Sequence, residues 1–140
     1  MQENIGTIFI ETPAVENVPK KSTEWSAGHD IKCLTDFSVA PGEQIELKTG
    51  IKMKLPYGKY AELRTRSSMA RSMVRVEAGI IDSDFTGEIL VFLFNYGKKE
   101  YHGKAGNKVA QMIFHKCCGA DFCVGKVSGG GHEGFGSTGQ

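Results

Sequence analysis

The sequence lacks a dominant charge. Its 17 Lys and Arg residues nearly match its 16 Asp and Glu, leaving a net charge of +1. No broad field of one sign is available to draw the chain to DNA, RNA or an anionic membrane. No apolar run approaches the roughly 20 residues that cross a bilayer as a helix. The first ten residues carry Glu3 and no basic stretch followed by a long apolar one, so they do not read as a secretory signal. An intracellular, soluble protein of the cytoplasm or nucleus is expected. Cysteine is scarce: Cys33, Cys117, Cys118 and Cys123. Free thiols in a reducing compartment are the expectation. The last three cluster near His115, but their spacing matches no paired Cys-x-x-Cys zinc pattern. Internal repeats and charge blocks are also missing, and 140 residues suit one domain.

Glycine, by contrast, is plentiful at 18 residues, and between the glycines lie short alternating runs. Thr7 to Glu11 alternates weakly. Gln44 to Lys48 puts Ile45 and Leu47 on one face, and Ile51, Met53 and Leu55 repeat the pattern. Lys59 to Arg64, Lys108 to His115 and Ala120 to Val127 are further candidate strands. Glu88 to Asn95 is almost wholly apolar and predicts a strand buried on both faces. Short, evenly spaced strands separated by turns such as Pro41-Gly42 and Pro56-Tyr57-Gly58 predict an all-β sandwich, barrel or jelly roll. One segment, Ser67 to Met73, predicts a short helix with Ser67 as its N-cap. The tail from Ser128 to Gln140 holds six glycines in thirteen residues. It predicts either a flexible end or an arm that orders over a ligand. The organisation expected is therefore a β domain over 1–127 and a Gly-rich arm over 128–140.

Five short elements carry the chemistry. In Gly79-Ile80-Ile81-Asp82-Ser83-Asp84-Phe85-Thr86-Gly87-Glu88, two carboxylates sit one residue apart between apolar runs. Such like charges suit either an acidic turn or a site where a cation or arginine separates their roles. Arg64-Thr65-Arg66-Ser67-Ser68 joins a strand to a helix and offers hydroxyls and a guanidinium to an anion; taken alone, the same residues read better as a helix cap with a surface arginine. Ala27-Gly28-His29-Asp30 leads into a strand. Gly106 to Gln111 feeds a strand that carries Gln111 among apolar neighbours, where its amide needs partners. In the tail, Phe135 offers a ring to stack on a base, and Ser137 and Thr138 offer hydroxyls to phosphate oxygens.

Taken in chain order, these elements resemble the five motifs of the trimeric dUTPases. They are Ala27 to Ile31, Arg66 to Ala70, Gly79 to Glu88, Gly106 to Ile113 and Gly134 to Gly139. The resemblance implies a β jelly roll assembled as a homotrimer, with active sites shared between subunits and a C-terminal arm crossing to a neighbour. It implies hydrolysis of dUTP to dUMP and pyrophosphate by water attack at the α-phosphorus, with Mg²⁺ on the phosphates. Such a reaction limits uracil in DNA and supplies dUMP for thymidylate synthesis. By the same resemblance Asp82 orients the water and Asp30 reaches the metal through water. Arg66, Ser67, Ser68, Gln111, Ser137 and Thr138 hold phosphates. Val76, Gly79, Ile80, Ile81, Phe85 and Phe135 surround uracil and deoxyribose. Asp84 is a structural support paired with Arg66.

Several positions depart from the family pattern. Phe85 stands for Tyr, Lys108 for Arg, Asn107 for Asp and His29 for a hydrophobic or aromatic residue. Arg75 and Glu77 flank the uracil hairpin. Gly130 falls where an arginine reaches the γ-phosphate, a loss worth roughly 1.5–3 kcal/mol, and Glu133 replaces Gly. Two alternatives follow: a homologue that binds nucleotide or a partner with reduced turnover, and a dCTP deaminase relative.

Overall fold

The computed structural model describes residues 3–129. Among them run eleven strands and one short α-helix. The strands are β1 (Phe9–Glu11), β2 (His29–Lys32), β3 (Phe37–Val39), β4 (Gln44–Lys48), β5 (Lys52–Lys54) and β6 (Lys59–Arg64). After helix α1 (Ser67–Arg71) come β7 (Val74–Glu77), β8 (Ile80–Ile81), β9 (Leu90–Asn95), β10 (Tyr101–Gly103) and β11 (Lys108–Lys116). One sheet has the order β2-β11-β6-β8 and another the order β4-β9-β7; the pairs β1-β5 and β10-β3 complete the structure. These strand pairings are all antiparallel, as in the jelly roll expected from the strand pattern and the motifs.

Alternation decides which side chains reach the core. Ala61 and Leu63 of β6 are buried, as are Val91 and Leu93 of β9, and Ala110 and Met112 of β11. Ile31, Ile51, Met69, Val74 and Ile89 join them in one cluster. Burying each such side chain contributes on the order of 1.5–3 kcal/mol. Two polar residues are fully buried with them. Asn95 donates from Nδ2 to the carbonyls of Val39 (2.9 Å) and Lys99 (2.8 Å), and its Oδ1 accepts from the Gly97 amide. Thr49 donates to the Ile89 carbonyl at 2.6 Å. Each therefore ties separate stretches of backbone together without leaving a polar atom unpaired.

Three local expectations are corrected. The apolar run at Glu88 forms its strand only from Leu90, and one face alone is fully buried: Leu90, Phe92 and Phe94 are half-buried in the single chain. Ser67 is the first helical residue, not the cap. Arg66 occupies the cap position, without a side-chain cap bond. No strand forms over Ala120–Val127, and Phe122, Val124 and Val127 are exposed there. The reason is pairing. Lys116, the last residue of β11, lies opposite Lys59, the first of β6, so the chain beyond it has no neighbour to continue the ladder.

His29 fills the aromatic position of its motif by packing. Its ring meets Phe114 edge-on, with centroids 5.5 Å apart, and Nδ1 is buried with no hydrogen-bond partner among the described residues. Burial first, then the nearby Lys21 charge, lowers its pKa from 6.5. The native state therefore holds it neutral, while the unfolded chain takes up a proton near pH 6.5. That preference stabilises the fold above about pH 6.5 and is lost as pH falls through the lowered native value. His29→Phe should lose less stability than the parent between about pH 7.5 and pH 5. Denaturant midpoints at the two pH values measure this, and an equal loss in both proteins would contradict the assignment.

Candidate active site

Two groups of candidate site residues, one polar and one mainly apolar, lie on opposite edges of β6. The first lies on the β11 side. Asp30 of β2 is opposite Gln111 of β11, which is in turn opposite Arg64. Arg66, two residues past the end of β6, brings its Nε within 3.4 Å of Asp30 Oδ1. Lys108 brings its Nζ within 3.5 Å of Asp30 Oδ2, beside a β-bulge between Lys108 and Ala110. Arg66 also donates to the Lys108 carbonyl at 3.4 Å. Gln111 donates from Nε2 to the Thr65 carbonyl at 3.3 Å, which supplies the partner its amide needed. Gly28 is required beside it, because a Cβ there would stand 2.8 Å from Gln111 Oε1. Ser67 and Ser68 are exposed at the start of α1, where first-turn amides have no intrahelical acceptor. Arginine, lysine, serine hydroxyls and free amides together offer the donors that an anion would need.

The second cluster lies on the β8 side. Ala61 pairs with Ile81 and Glu62 with Ile80. Before β8 the chain turns through Ala78 and Gly79, both with positive φ, +58° and +106°. At Gly79 a Cβ would stand 2.6 Å from the Leu63 carbonyl, so glycine permits this close approach. The hairpin walls a cavity of about 310 Å³ lined by Leu63, Ala78, Gly79, Ile80, Ile81, Asp82 and Phe85, with Glu88 and Phe92 among the rest. Asp82 is exposed at its lip. The amide of Phe85 donates to the Asp82 carbonyl at 3.1 Å, closing the turn that carries Ser83 and Asp84. The Phe85 ring lies over Gly87, where a Cβ would approach to 3.0 Å. Glu88 accepts from the Gly50 amide at 2.8 Å, a structural use of its carboxylate. A smaller cavity, about 260 Å³, adjoins Asp82 and is lined by Lys59, Tyr60, Ile80, Ser83 and Cys117.

Thr65 joins the two clusters. Its hydroxyl accepts from the Val76 amide at 2.9 Å, and its carbonyl accepts from Gln111. No role in holding the site followed from the sequence for Thr65, just before the second motif, or for Lys108, inside the fourth. Their only signal was position, one at a strand end and one at a bulge. Among the described residues, Asp82 and Asp84 make no ion pair or side-chain hydrogen bond with Asp30, Arg66 or Gln111. Within the chain Arg66 pairs with Asp30 rather than Asp84, because the strand that leads to Asp84 lies on the other edge of β6. Phe135, Ser137 and Thr138 lie outside the described residues.

A dUTPase family model matches residues 15–139. The fowlpox virus deoxyuridine 5'-triphosphate nucleotidohydrolase is 35% identical over 129 residues, which are 87% of this chain and 89% of that protein. The Mus musculus deoxyuridine 5'-triphosphate nucleotidohydrolase is 32% identical over 136 residues, covering 94% of this chain and 84% of its own. A Staphylococcus bacteriophage 80alpha dUTPase solved with dUpNHpp superposes with a TM-score of 0.81 at 19% identity, covering 96% of this chain and 99% of that one. The native EIAV dUTPase gives a TM-score of 0.73 at 24% identity, over 86% of this chain and all of that one. With the family match running over nearly the whole sequence and relatives more than 30% identical along most of it, this chain belongs to the dUTPase family.

Proposed function

We propose that this enzyme hydrolyses dUTP to dUMP and pyrophosphate, and that its active site is completed between chains of a homotrimer. The observation that carries the proposal is the position of Asp82. It is exposed at the end of β8 and lines both the hairpin cavity and its neighbour. A carboxylate there can orient a water and accept its proton. The water oxygen then bonds to the α-phosphorus, and the bond from that phosphorus to the α–β bridging oxygen breaks. Pyrophosphate leaves with those electrons.

The hairpin from Val76 to Phe85 receives the uracil. Backbone groups read a base edge well, because a mismatched base leaves a buried donor or acceptor unpaired. The Phe85 ring, at the cavity mouth, lies beneath the deoxyribose. Arg66, Ser67, Ser68 and Gln111 hold the triphosphate, and charge-assisted contacts from Arg66 fix its orientation. These residues occupy the opposite edge of β6 from Asp82. A second copy supplies the complementary cluster, which explains why one chain presents two incomplete halves. Asp84 supports the turn and meets a cation across that boundary. Phe135, Ser137 and Thr138 close over base and phosphates from the C-terminal arm.

The donor set suits Mg²⁺ carried by the substrate. The described residues hold no group of three or more His, Cys, Asp or Glu side chains able to bind a metal ion, whereas Mg²⁺ commonly keeps its waters and binds phosphates with few protein ligands. Asp30 is the carboxylate placed to reach it through water, and Arg66 and Lys108 orient that carboxylate. Bound to the phosphates, Mg²⁺ supplies charge neutralisation and a fixed phosphate conformation. Limiting uracil in DNA and supplying dUMP follow from the reaction.

Incubation of the purified protein with Mg²⁺ and dUTP should release pyrophosphate, whereas ammonia release from dCTP would identify a deaminase instead. Asp82→Asn should lower kcat by about 10²–10⁴-fold while dUTP binding, read by calorimetry, persists. Full activity in that variant would remove Asp82 from the mechanism. Deleting Gly134–Gln140 should abolish most turnover with the oligomer and its thermal transition intact. An unfolded product would make the tail structural.

A further inference from the structure

One cation beside the phosphate half has no task in the proposed reaction: Arg64. Strand pairing sets Asp30, Gln111 and Arg64 in one row across β2, β11 and β6, with Asp30 opposite Gln111 and Gln111 opposite Arg64. Residues paired in this way project from the same face of a sheet. That face is the outer one, because Leu63 and Met112, next to Arg64 and Gln111 along their strands, are buried in the core. Neighbouring strands lie about 4.8 Å apart, so the Arg64 backbone stands roughly 10 Å from that of Asp30, with Gln111 between them. The Arg64 side chain is 60% exposed.

The other cations of this face are committed. Arg66 brings Nε to 3.4 Å from Asp30 and donates to the Lys108 carbonyl. Lys108 Nζ stands 3.5 Å from the same carboxylate. Asp30 thus offsets one of these two cations and leaves one net positive charge. A nucleoside triphosphate carries about four negative charges near neutral pH, since each phosphate is ionised and the terminal one has a second pKa near 6. Mg²⁺ on the phosphates leaves about two of them, so one positive charge falls short. Among the described residues Arg64 has one ion-pair partner, Glu62, at 3.7 Å. An exposed pair of that length restrains an arginine weakly. Glu62 Oε1 is also bonded to His115 Nε2 at 3.0 Å, so Glu62 keeps a partner when Arg64 leaves.

We infer that Arg64 is a further phosphate-binding residue, whose guanidinium leaves Glu62 and turns across Gln111 to a phosphate oxygen of the bound nucleoside triphosphate. The fork of N–H donors suits phosphate oxygens better than a point charge does, and the contact is charge-assisted. It raises the net positive charge of this face to match what the Mg²⁺-bound triphosphate retains.

The inference rests on the proposed dUTP activity, and the test separates the two. Full-length Arg64→Gln, similar in length but neutral, is assayed with dUTP, titrated by calorimetry with the imido analogue dUpNHpp, and inhibited with deoxyuridine, which has no phosphate. The Kd for dUpNHpp and the KM for dUTP should rise about tenfold or more. The deoxyuridine Ki and the thermal transition should stay at the parent's values. Arg64→Lys keeps the charge without the fork and should recover part of the affinity. Glu62→Gln releases the guanidinium and should bind dUpNHpp at least as tightly as the parent. Unchanged dUpNHpp affinity in Arg64→Gln overturns the inference. An equal loss for deoxyuridine, which marks a displaced fold, also overturns it, as does the same weakening in Glu62→Gln, which makes the surface pair the cause. A parent that neither binds dUpNHpp nor hydrolyses dUTP removes the proposed activity and the role of Arg64 together. A parent active on dUTP, with Arg64→Gln unaffected, removes the role of Arg64 alone.

Discussion

A β-strand has two edges, and each accepts one neighbour. In this protein that constraint organises the active site. Strand β6 pairs with β11 on one edge and β8 on the other. The first edge gathers Asp30, Arg66, Lys108 and Gln111; the second gathers the hairpin cavity and Asp82. A short side chain cannot cross from one edge to the other through the core, where Ala61 and Leu63 are buried. The two halves are therefore held at separate positions, and our proposal joins them across two chains.

The same rigidity explains how small residues contribute. Gly28 leaves room for Gln111, and Gly79 lets the hairpin turn against the Leu63 carbonyl. Thr65 spends its hydroxyl on Val76 and its carbonyl on Gln111. None of these touches the reacting atoms in our account. Each fixes the place of a residue that our proposal sets against the substrate, which is how preorganisation favours a transition state.

Much of this was legible in the residues. Period-two alternation located β4, β5, β6 and β11, because their apolar faces meet one core. The Pro-Gly and Pro-Tyr-Gly turns also fell where the chain reverses. The run from Glu88 misled on burial, since a string of apolar residues does not say whether its outer face is covered. Ala120–Val127 misled on pairing: strand propensity is realised only where an open edge is available. Ser67 was expected to cap α1, yet Arg66 holds that position. Collinear motifs singled out the candidate site residues, but not the pairing of Arg66 with Asp30 or the contact of Lys108 with the same carboxylate. Those depend on a bulge and a register that alternation does not encode.

The central claim is that a working site combines the Asp82 half of one chain with the Arg66 half of another. It is tested by co-refolding equal amounts of Asp82→Asn and Arg66→Ala, each inactive alone, and measuring dUTP hydrolysis. Random assembly of a ring with shared sites pairs an intact half with an intact half in about one quarter of sites. Our account predicts activity near that fraction of the parent enzyme. No recovery in verified mixed oligomers would show that each site is built within one chain, and would contradict it.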